Sequence, residues 1–358
     1  MYIGLMSGTS MDGIDVALVD DDCRKLLASH CLEIPALLRQ SIQALSKSGF
    51  DELKKVAELE HHVGELYALA VNQLLEKNNL TAKDIIAIGN HGQTIRHQPQ
   101  QFPRFSWQVN GAHTIAIKTN IQVVSDFRQR DILLGGQGAP LAPIYHKYLF
   151  QHLNRSVTVI NIGGITNLSH INSSGNCIGF DTGPGNCLMD DWILMHKERR
   201  YDNDGQWAAS GSVIPALLDE LLSHDYYKKI GPKSLDRSFY AITKEQYKQF
   251  KPEDVQATFL TLTVQCIIDA IKLNGIKTDE IIVCGGGVHN QGIMTSLQKK
   301  LEGINVCSAK DKGIDPDYLE AMMFAWLGKL TITNQKIDLS QITGSADRLI
   351  AGCIYPSN

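Results

Sequence analysis

The sequence predicts an α/β protein of two domains, each opening with a glycine-turned β-hairpin. A chain of 358 residues is long enough for roughly two domains with separate cores. Helical and strand periodicities alternate along it, and a strand, glycine turn, strand pattern occurs at residues 3–19 and again at 157–171. This repetition predicts duplicated domains facing one cleft, where both hairpins grip a single phosphate chain. Two unrelated glycine hairpins are the alternative.

The other periodicities place helices and short strands in both halves. Residues 52–78 carry apolar side chains at helical spacing, and residues 281–284 form an apolar run typical of a buried strand. Further elements are predicted, in chain order, as strands 85–88 and 121–125, helix 140–153, strand 176–180, and helices 185–199, 213–223, 253–274 and 316–329.

Composition and charge argue against several classes of protein. A net charge of −4 gives no electrostatic reason to expect a nucleic acid or an anionic membrane as partner. No apolar run approaches the roughly 18 residues of a membrane span, and no signal peptide is expected before Tyr2. The eight cysteines are scattered without a CxxC pair, which argues against zinc and a disulfide framework. We therefore expect a cytoplasmic protein.

The turn of the first hairpin has the composition of a phosphate-binding loop. Its glycines permit close backbone approach, and Ser7, Thr9 and Ser10 add hydroxyl donors to the backbone N–H groups. Asp12 and Asp15 supply carboxylates of the kind that hold a hydrated Mg²⁺ on a polyphosphate. An ordinary glycine-rich hairpin is the alternative.

Two common nucleotide motifs are missing from the sequence. It has no GxxxxGK[ST] loop, which excludes P-loop enzymes, and no strand-following GxGxxG, which argues against a Rossmann site. The run at Gly285, Gly286 and Gly287 would instead let a base or ribose lie against the backbone, and Glu320 could reach a ribose hydroxyl. A plain turn and a favourable helix N-terminus are the respective alternatives.

Asp181 is the strongest candidate for a catalytic group. It follows the predicted strand 176–180 and precedes a Pro-Gly turn, and a carboxylate at the carboxyl end of a strand tends to face a crevice. A carboxylate placed there could act as a general base on water or a hydroxyl. The alternative is that Asp181 caps a helix beginning near Pro184.

Polar and aromatic residues of the first half are suited to a sugar. The segment 90–97 offers hydrogen-bonding groups after a strand, and Trp107 could stack on a sugar ring or lie in the core. Arg128 or Arg130 could bind a substrate carboxylate in a bidentate pair. A salt bridge of these arginines with Asp126 or Asp131 is the alternative.

Taken together, the motifs resemble those of the anhydro-N-acetylmuramic acid kinases, a branch of the sugar kinase/hsp70/actin superfamily. The resemblance spans nearly the whole chain. Its motifs are MSGTSMDGID at 6–15, NHGQT at 90–94, DFR at 126–128, GGQGAPL at 135–141, NIGGITN at 161–167, GFDTGPGN at 179–186, GGG at 285–287 and EAMMFAW at 320–326.

The resemblance implies an actin-like (ribonuclease H-like) duplicated two-domain α/β fold with a central nucleotide and substrate cleft. It implies domain I at 1–130, joined by the tail 345–358, and domain II at 131–344. The implied enzyme uses ATP and Mg²⁺ to phosphorylate O6 of 1,6-anhydro-N-acetylmuramic acid while water opens the anhydro bridge at C1. The product is N-acetylmuramic acid 6-phosphate, an intermediate of peptidoglycan recycling.

The resemblance also assigns roles to individual residues. It makes Asp181 the catalytic base and places Thr94, Trp107 and Arg128 at the sugar, with Arg128 suited to the lactyl carboxylate. Asp12 is the expected metal ligand. The residues expected at the nucleotide are Gly8, Thr9, Ser10, Met11, Asp12, Gly13, Ile14, Asp15, Gly163, Gly164, Gly285, Gly286, Gly287 and Glu320. The run PKSLDRS at 232–238 departs from the family's usual PKSTGRE.

Two other functions are compatible with the expected fold. One is a kinase for a different sugar, and the other is a non-enzymatic actin-like nucleotide switch, since a fold does not fix a function. The expected partners are the anhydro amino sugar and ATP, and a homodimer remains open.

Overall fold

The computed structural model describes residues 1–8, 11, 13–46, 49–235 and 237–357. The chain forms two compact units, one of Met1–Tyr145 with Tyr318–Asn358 and one of His146–Asp317. These units divide the chain differently from the predicted domains 1–130 and 131–344, because residues 131–145 and 318–344 belong to the first unit.

A six-stranded mixed sheet forms the centre of the first unit. Its order is β13-β7-β4-β1-β2-β3, in which β1 is antiparallel to β2, β2 to β3 and β7 to β13, while β1, β4 and β7 are parallel. A separate hairpin pairs β5 with β6. The strands are β1 Tyr2–Met6, β2 Gly13–Val19, β3 Leu26–Glu33, β4 Ala87–Asn90, β5 Gln93–Gln98, β6 Phe105–Val109, β7 Val123–Ser125 and β13 Cys353–Tyr355.

Helices cover this sheet, and one of them comes from the end of the chain. The α-helices are α1 Ala36–Leu45, α2 Glu52–Lys77, α3 Ala112–Thr119, α4 Gln129–Leu133, α5 Ala142–Phe150, which crosses the boundary between the units, and α11 Leu319–Ile332. Helix α11 lies directly on β1 and β4: a β-carbon on Gly4 would stand 1.7 Å from the Ala321 carbonyl oxygen, and one on Gly89 would stand 1.8 Å from that of Phe324. This packing draws residues 318–344 into the first unit.

The second unit repeats the strand pattern of the first. Its sheet has the order β10-β9-β8-β11-β12, with β8 antiparallel to β9, β9 to β10, and β8, β11 and β12 parallel. The strands are β8 Val157–Ile162, β9 Ile165–Ile171, β10 Cys177–Pro184, β11 Glu280–Cys284 and β12 Asn305–Ser308. In both units, therefore, a three-stranded antiparallel meander is followed by parallel strands beside its first strand.

The helices of the second unit pack around α9. They are α6 Cys187–Lys197, α7 Gln206–Ala209, α8 Pro215–Leu222, α9 Pro252–Leu273 and α10 Gln291–Lys300. Helix α9 is the one helix, within the described residues, that is long and apolar enough to cross a membrane, although no apolar run of that length was expected. In this structure 78% of the apolar stretch of this helix is buried, and α9 supplies much of the unit's hydrophobic core.

Short 3₁₀ helices connect the larger elements of both units. Their bounds are Ala82–Asp84, Gln151–Leu153, Asn203–Gly205, Asp225–Lys228, Arg237–Tyr240, Lys244–Tyr247, Gly286–His289 and Ala309–Lys312.

Candidate functional site

The first predicted phosphate loop lies at the end of β1. Strands β1 and β2 form the predicted hairpin, with Met6 opposite Asp15, and the N–H of Met11 donates to the Gly8 carbonyl oxygen (3.1 Å) within the turn. Ile14 is fully buried, so it can offer a ligand only its backbone. Thr9, Ser10 and Asp12 lie outside the described residues. Of the loop's two predicted carboxylates, Asp15 is therefore the described one.

The charged side chains of the described part of the chain do not form a preformed metal cage. No group of three or more His, Cys, Asp or Glu residues within it could hold a metal ion. Mg²⁺ that arrives on a polyphosphate needs only one or two protein carboxylates, because phosphate oxygens and water supply its other ligands. One carboxylate beside the phosphate loop, as Asp15 provides, fits that mode of binding.

The polar segment after β4 contacts the beginning of the phosphate loop. Strands β1 and β4 are parallel, so their carboxyl ends meet at the same edge of the sheet. The buried Ser7 hydroxyl donates to Gln93 Oε1 (2.8 Å) across that edge. The structure thus brings the 90–94 motif next to the start of the loop, within the first unit.

Thr94 and Trp107 lie on neighbouring strands of the β5–β6 hairpin. The Thr94 hydroxyl accepts a hydrogen bond from Gln108 Nε2 (3.1 Å), and a register shift separates it from the pair of Arg96 and Trp107. Trp107 is 53% exposed. It is therefore not a core aromatic, and its ring is available to a ligand.

Arg128 is held by partners on two sides. It follows β7, and its Nε and Nη2 atoms contact Nε2 of His91 at 3.1 and 2.9 Å, while Nη1 donates to the Gly138 carbonyl oxygen at 2.6 Å. Arg130, the other arginine of this segment, donates to the Ile350 carbonyl oxygen (2.8 Å). Of the two, Arg128 has its guanidinium fixed beside the NHGQT motif.

Asp181 lies inside β10, opposite Asn167 of β9, and not at a helix cap. The predicted strand 176–180 continues to Pro184, and the helix after it begins only at Cys187. The register of β9 and β10 shifts between Asp181 and Gly183, and such a bulge changes the direction of a side chain. The helix-capping interpretation of Asp181 is thereby excluded.

The Asp181 carboxylate is buried and oriented by the backbone. Asp181 is 7% exposed, and its Oδ2 accepts a hydrogen bond from the N–H of Leu235 (2.8 Å). Its own N–H donates to the Lys233 carbonyl oxygen (3.0 Å), and the Tyr226 hydroxyl donates to the Asp181 carbonyl oxygen (2.8 Å). Backbone donation to the charged form of a carboxylate stabilises it.

Lys233 is a buried cation in the same environment. It is 6% exposed, its ammonium donates to the Tyr226 carbonyl oxygen (3.2 Å), and it lies 4.5 Å from the centre of the Tyr226 ring. Desolvation lowers the pKa of Lys233, and the Asp181 carboxylate opposes that shift. The 232–238 run that departs from the family pattern thus supplies both a backbone donor and a charge near Asp181.

The glycine turns of the second unit lie at one edge of its sheet. The carbonyl oxygens of Gly163 and Gly164 accept from the N–H groups of Asn186 (2.8 Å) and Gly185 (2.9 Å), which ties the β8–β9 turn to the start of α6. A β-carbon on Gly163 would find its nearest neighbour at 3.6 Å, so this turn leaves room for close approach to its backbone.

The three glycines after β11 differ in the space around them. Gly285 has φ +76°, and a β-carbon on Gly287 would stand 2.3 Å from Cγ2 of Ile162. A β-carbon on Gly286 would find only the Asn186 amide, at 3.7 Å. Gly285 and Gly287 are required by the fold, whereas Gly286 borders open space that a ligand could fill.

Glu320 belongs to the other unit. It lies in the first turn of α11 and is partly buried in the first unit, away from the domain predicted for it. Its negative charge suits a helix N-terminus, as the alternative interpretation held.

Several residues around these candidates were not predicted from the sequence. They are Tyr226, Lys233 and Leu235 around Asp181, and Gly138 beside Arg128. A lone lysine in a polar stretch gives little sequence signal. Only the folded chain brings them to the candidate residues.

A duplicated mixed-sheet topology, with a glycine turn after the first strand of each sheet, is typical of the actin-like fold. The chain is similar in fold, with a TM-score of 0.50 and 13% identity, to the activator of the 2-hydroxyisocaproyl-CoA dehydratase from Clostridium difficile with bound ADPNP, covering 93% of this chain and 96% of that one. Component A of the Acidaminococcus fermentans (R)-2-hydroxyglutaryl-CoA dehydratase gives the same TM-score and identity, covering 93% and 98%. The predicted actin-like α/β fold class is confirmed.

The sequence comparisons identify the family. The anhydro-N-acetylmuramic acid kinase family model matches residues 1–357. Relatives described as anhydro-N-acetylmuramic acid kinase are 44% identical over 362 residues in Pseudomonas savastanoi pv. phaseolicola, covering 99% of each chain, and 42% identical over 366 residues in Shewanella pealeana, covering 100% and 99%. The chain belongs to the anhydro-N-acetylmuramic acid kinase family. The predicted family is confirmed, and membership in a kinase family indicates the use of ATP.

Proposed function

We propose that this chain phosphorylates O6 of 1,6-anhydro-N-acetylmuramic acid with ATP while water opens the anhydro ring. The products are N-acetylmuramic acid 6-phosphate and ADP, in the cytoplasmic recycling of peptidoglycan. The observation that carries the proposal is the buried Asp181 carboxylate, oriented by the Leu235 N–H, in a chain that matches the family over residues 1–357.

Asp181 is the proposed general base. It accepts a proton from a water molecule whose oxygen attacks C1, so the C1–O6 bond breaks and O6 leaves with its electron pair. The same O6 attacks the γ-phosphorus of ATP, and the bond from the γ-phosphorus to the bridging oxygen breaks to release ADP. One deprotonation thereby drives both bond changes, and the protein contributes mainly positioning and charge stabilisation.

Three residues of the first unit are proposed to bind the sugar. The half-exposed Trp107 ring offers an apolar face to the sugar, and the Thr94 hydroxyl, already fixed by Gln108, offers a hydrogen bond. Arg128 is the proposed partner of the lactyl carboxylate, because guanidinium and carboxylate match in a bidentate pair. Arg128 would then distinguish this sugar from anhydro sugars without a carboxylate.

The nucleotide is proposed to bind at the predicted glycine turns. Gly8, Thr9, Ser10, Met11 and Gly13 would offer backbone and hydroxyl donors to phosphate oxygens. The open space beside Gly163 and Gly286 supports close approach of a ligand to the backbone. The other residues proposed at the nucleotide are Ile14, Gly164, Gly285, Gly287 and Glu320.

Mg²⁺ is the proposed metal, with Asp12 as the proposed protein ligand and Asp15 as the second carboxylate nearby. When bound, the ion supplies positive charge that neutralises the phosphates in the transition state.

A coupled assay tests the proposal. The protein is incubated with ATP, Mg²⁺ and 1,6-anhydro-N-acetylmuramic acid, and ADP and a phosphorylated reducing sugar are expected to appear in equal amounts. A panel of other sugars is the control, since a kinase of different specificity would turn over one of them instead. ADP release that does not depend on the anhydro sugar would contradict the proposal.

A further inference from the structure

His91 is a buried histidine whose ring has one fixed orientation. It follows β4 and is 5% exposed, and its main-chain N–H donates to the Leu5 carbonyl oxygen (3.1 Å). The imidazole packs against the Phe324 ring with the centroids 4.7 Å apart. The ring therefore cannot turn without disturbing the core of the first unit.

The imidazole accepts the hydrogen bonds of Arg128. Both Nε and Nη2 of Arg128 lie within 3.1 Å of His91 Nε2. A guanidinium can only donate, so Nε2 must be the acceptor and the ring proton must lie on Nδ1. Burial and the charge of Arg128 lower the pKa of His91 well below its usual value, which keeps the ring neutral and able to accept.

A second contact fixes the other side of the guanidinium. Nη1 of Arg128 donates to the carbonyl oxygen of Gly138. The N–H of Gly138 in turn donates to Asp131 Oδ2 (2.7 Å). Asp131 is fully buried, and its other oxygen accepts from the Thr343 hydroxyl (2.7 Å). The plane of the guanidinium is thus determined by His91 on one side and by a loop anchored to the C-terminal segment on the other.

We propose that His91 is a positioning residue that fixes Arg128 for the carboxylate of the sugar. This inference rests on the proposed role of Arg128. A guanidinium that is already oriented loses less side-chain freedom when it binds, and a bidentate pair requires its plane to be aligned. His91 thereby contributes to the affinity for the sugar without touching it.

Four variants separate this role from a merely structural one. H91Q places an amide oxygen where Nε2 accepts, whereas H91F keeps a ring of similar shape and removes the acceptor. R128A removes the guanidinium, and the double variant H91F/R128A completes a double-mutant cycle. For each variant, kcat, KM for 1,6-anhydro-N-acetylmuramic acid and KM for ATP are measured, and melting curves report folding.

H91F is expected to raise KM for the sugar by about tenfold or more, since a hydrogen bond to a charged group is lost. KM for ATP is expected to stay within about twofold, and H91Q is expected to recover most of the affinity for the sugar. In the R128A background, H91F is expected to cause no further rise. If H91F does not fold, H91N replaces it, because its amide is too short to reach Arg128.

The outcomes distinguish failure of the proposed role of Arg128 from failure of the proposed role of His91. An R128A variant with unchanged KM for the sugar would contradict the proposed role of Arg128 and, with it, that of His91. If R128A raises this KM while H91F and its replacement match the parent protein, His91 is not a positioning residue. The same conclusion follows if H91F raises KM equally with and without Arg128, or if H91Q is as impaired as H91F.

Discussion

At the scale of single residues, the proposed chemistry depends on Asp181. Its carboxylate is buried, yet it accepts from the N–H of Leu235, which favours the charged form that a base requires. The Asp181→Asn variant keeps the size and much of the hydrogen bonding of the side chain. We expect it to lower kcat by roughly 10²–10⁴ or more, the usual contribution of a general base. ATP binding, measured by calorimetry, is expected to remain.

A matched control for this prediction is Asp190→Asn. Asp190 lies in the first turn of α6, in the same unit, and is expected to be dispensable for turnover. Turnover retained in Asp181→Asn, or ATP binding lost in a variant that still folds, would contradict the assignment of Asp181 as base.

At the scale of elements, the glycine turn after β11 allows a test of nucleotide binding. A β-carbon on Gly286 meets nothing closer than 3.7 Å, whereas one on Gly287 would collide with Ile162 at 2.3 Å. We expect Gly286→Ala to leave the melting temperature nearly unchanged and to raise KM for ATP several-fold, because the methyl group occupies space proposed for the nucleotide. Gly287→Ala is expected to lower the melting temperature, since core overpacking typically costs about 1–3 kcal/mol.

The comparison of the two alanine variants is decisive for this turn. If Gly286→Ala has the same KM for ATP as the parent protein, the turn does not contact the nucleotide as proposed. Melting curves and initial rates over a range of ATP concentrations provide both measurements.

Elements with a strong local pattern were predictable from the sequence. The two hairpins, the long helix α2, predicted at 52–78, and the buried strand β11 are present close to their predicted bounds, because each has a periodicity of its own. The hairpin β5–β6 and the helix α10 were not predicted. Their residues are largely polar or mixed, so neither segment has the apolar periodicity from which a strand or a helix is predicted.

Site residues show the same division. Asp181 was predicted as a candidate from its place after a strand, but the bulge that directs it and its contact with Leu235 depend on segments far apart in sequence. Arg128 was predicted as a carboxylate ligand, with salt bridges to Asp126 or Asp131 as the alternative. Its contact with His91 was not predicted, because the two residues are 37 positions apart.

At the scale of the whole molecule, the duplicated topology was predictable and the domain boundaries were not. Both sheets have an antiparallel meander followed by parallel strands, in keeping with the repeated hairpin pattern. The C-terminal segment returns to the first unit earlier than predicted, because α11 packs on β1 and β4 through Gly4 and Gly89. Small residues on two distant strands give no local signal of such a contact.

Global stability is expected to fall in acid because of buried histidines. His146 is fully buried beside the Ser169 hydroxyl (2.7 Å), and burial lowers its pKa to about 3. Below pH 6.5 the unfolded chain binds a proton at this position that the folded chain does not. The free energy of unfolding should therefore decrease as the pH falls from about 6.5 toward 3, by up to about 1.4 kcal/mol per pH unit for this group.

The contribution of His146 is measured by denaturant unfolding of the parent protein and of His146→Asn between pH 7.5 and 5. The variant is expected to take up about one proton fewer on unfolding, so the slope of its free energy of unfolding against pH is smaller. It is also expected to be less stable than the parent protein at neutral pH. His62→Gln, which changes an exposed histidine, is the control and should keep the parent slope. An unchanged slope in His146→Asn would contradict the prediction.

In the proposed reaction, a water molecule activated by Asp181 attacks C1 while O6 captures the γ-phosphoryl group. The most direct test runs the reaction in H₂¹⁸O and analyses the quenched products by mass spectrometry. N-acetylmuramic acid 6-phosphate incubated alone in the same water corrects for exchange at the anomeric carbon. One ¹⁸O is expected at C1 for each turnover, and none is expected in the phosphoryl group. An unlabelled C1, or ¹⁸O in the phosphoryl group, would contradict the proposed role of water.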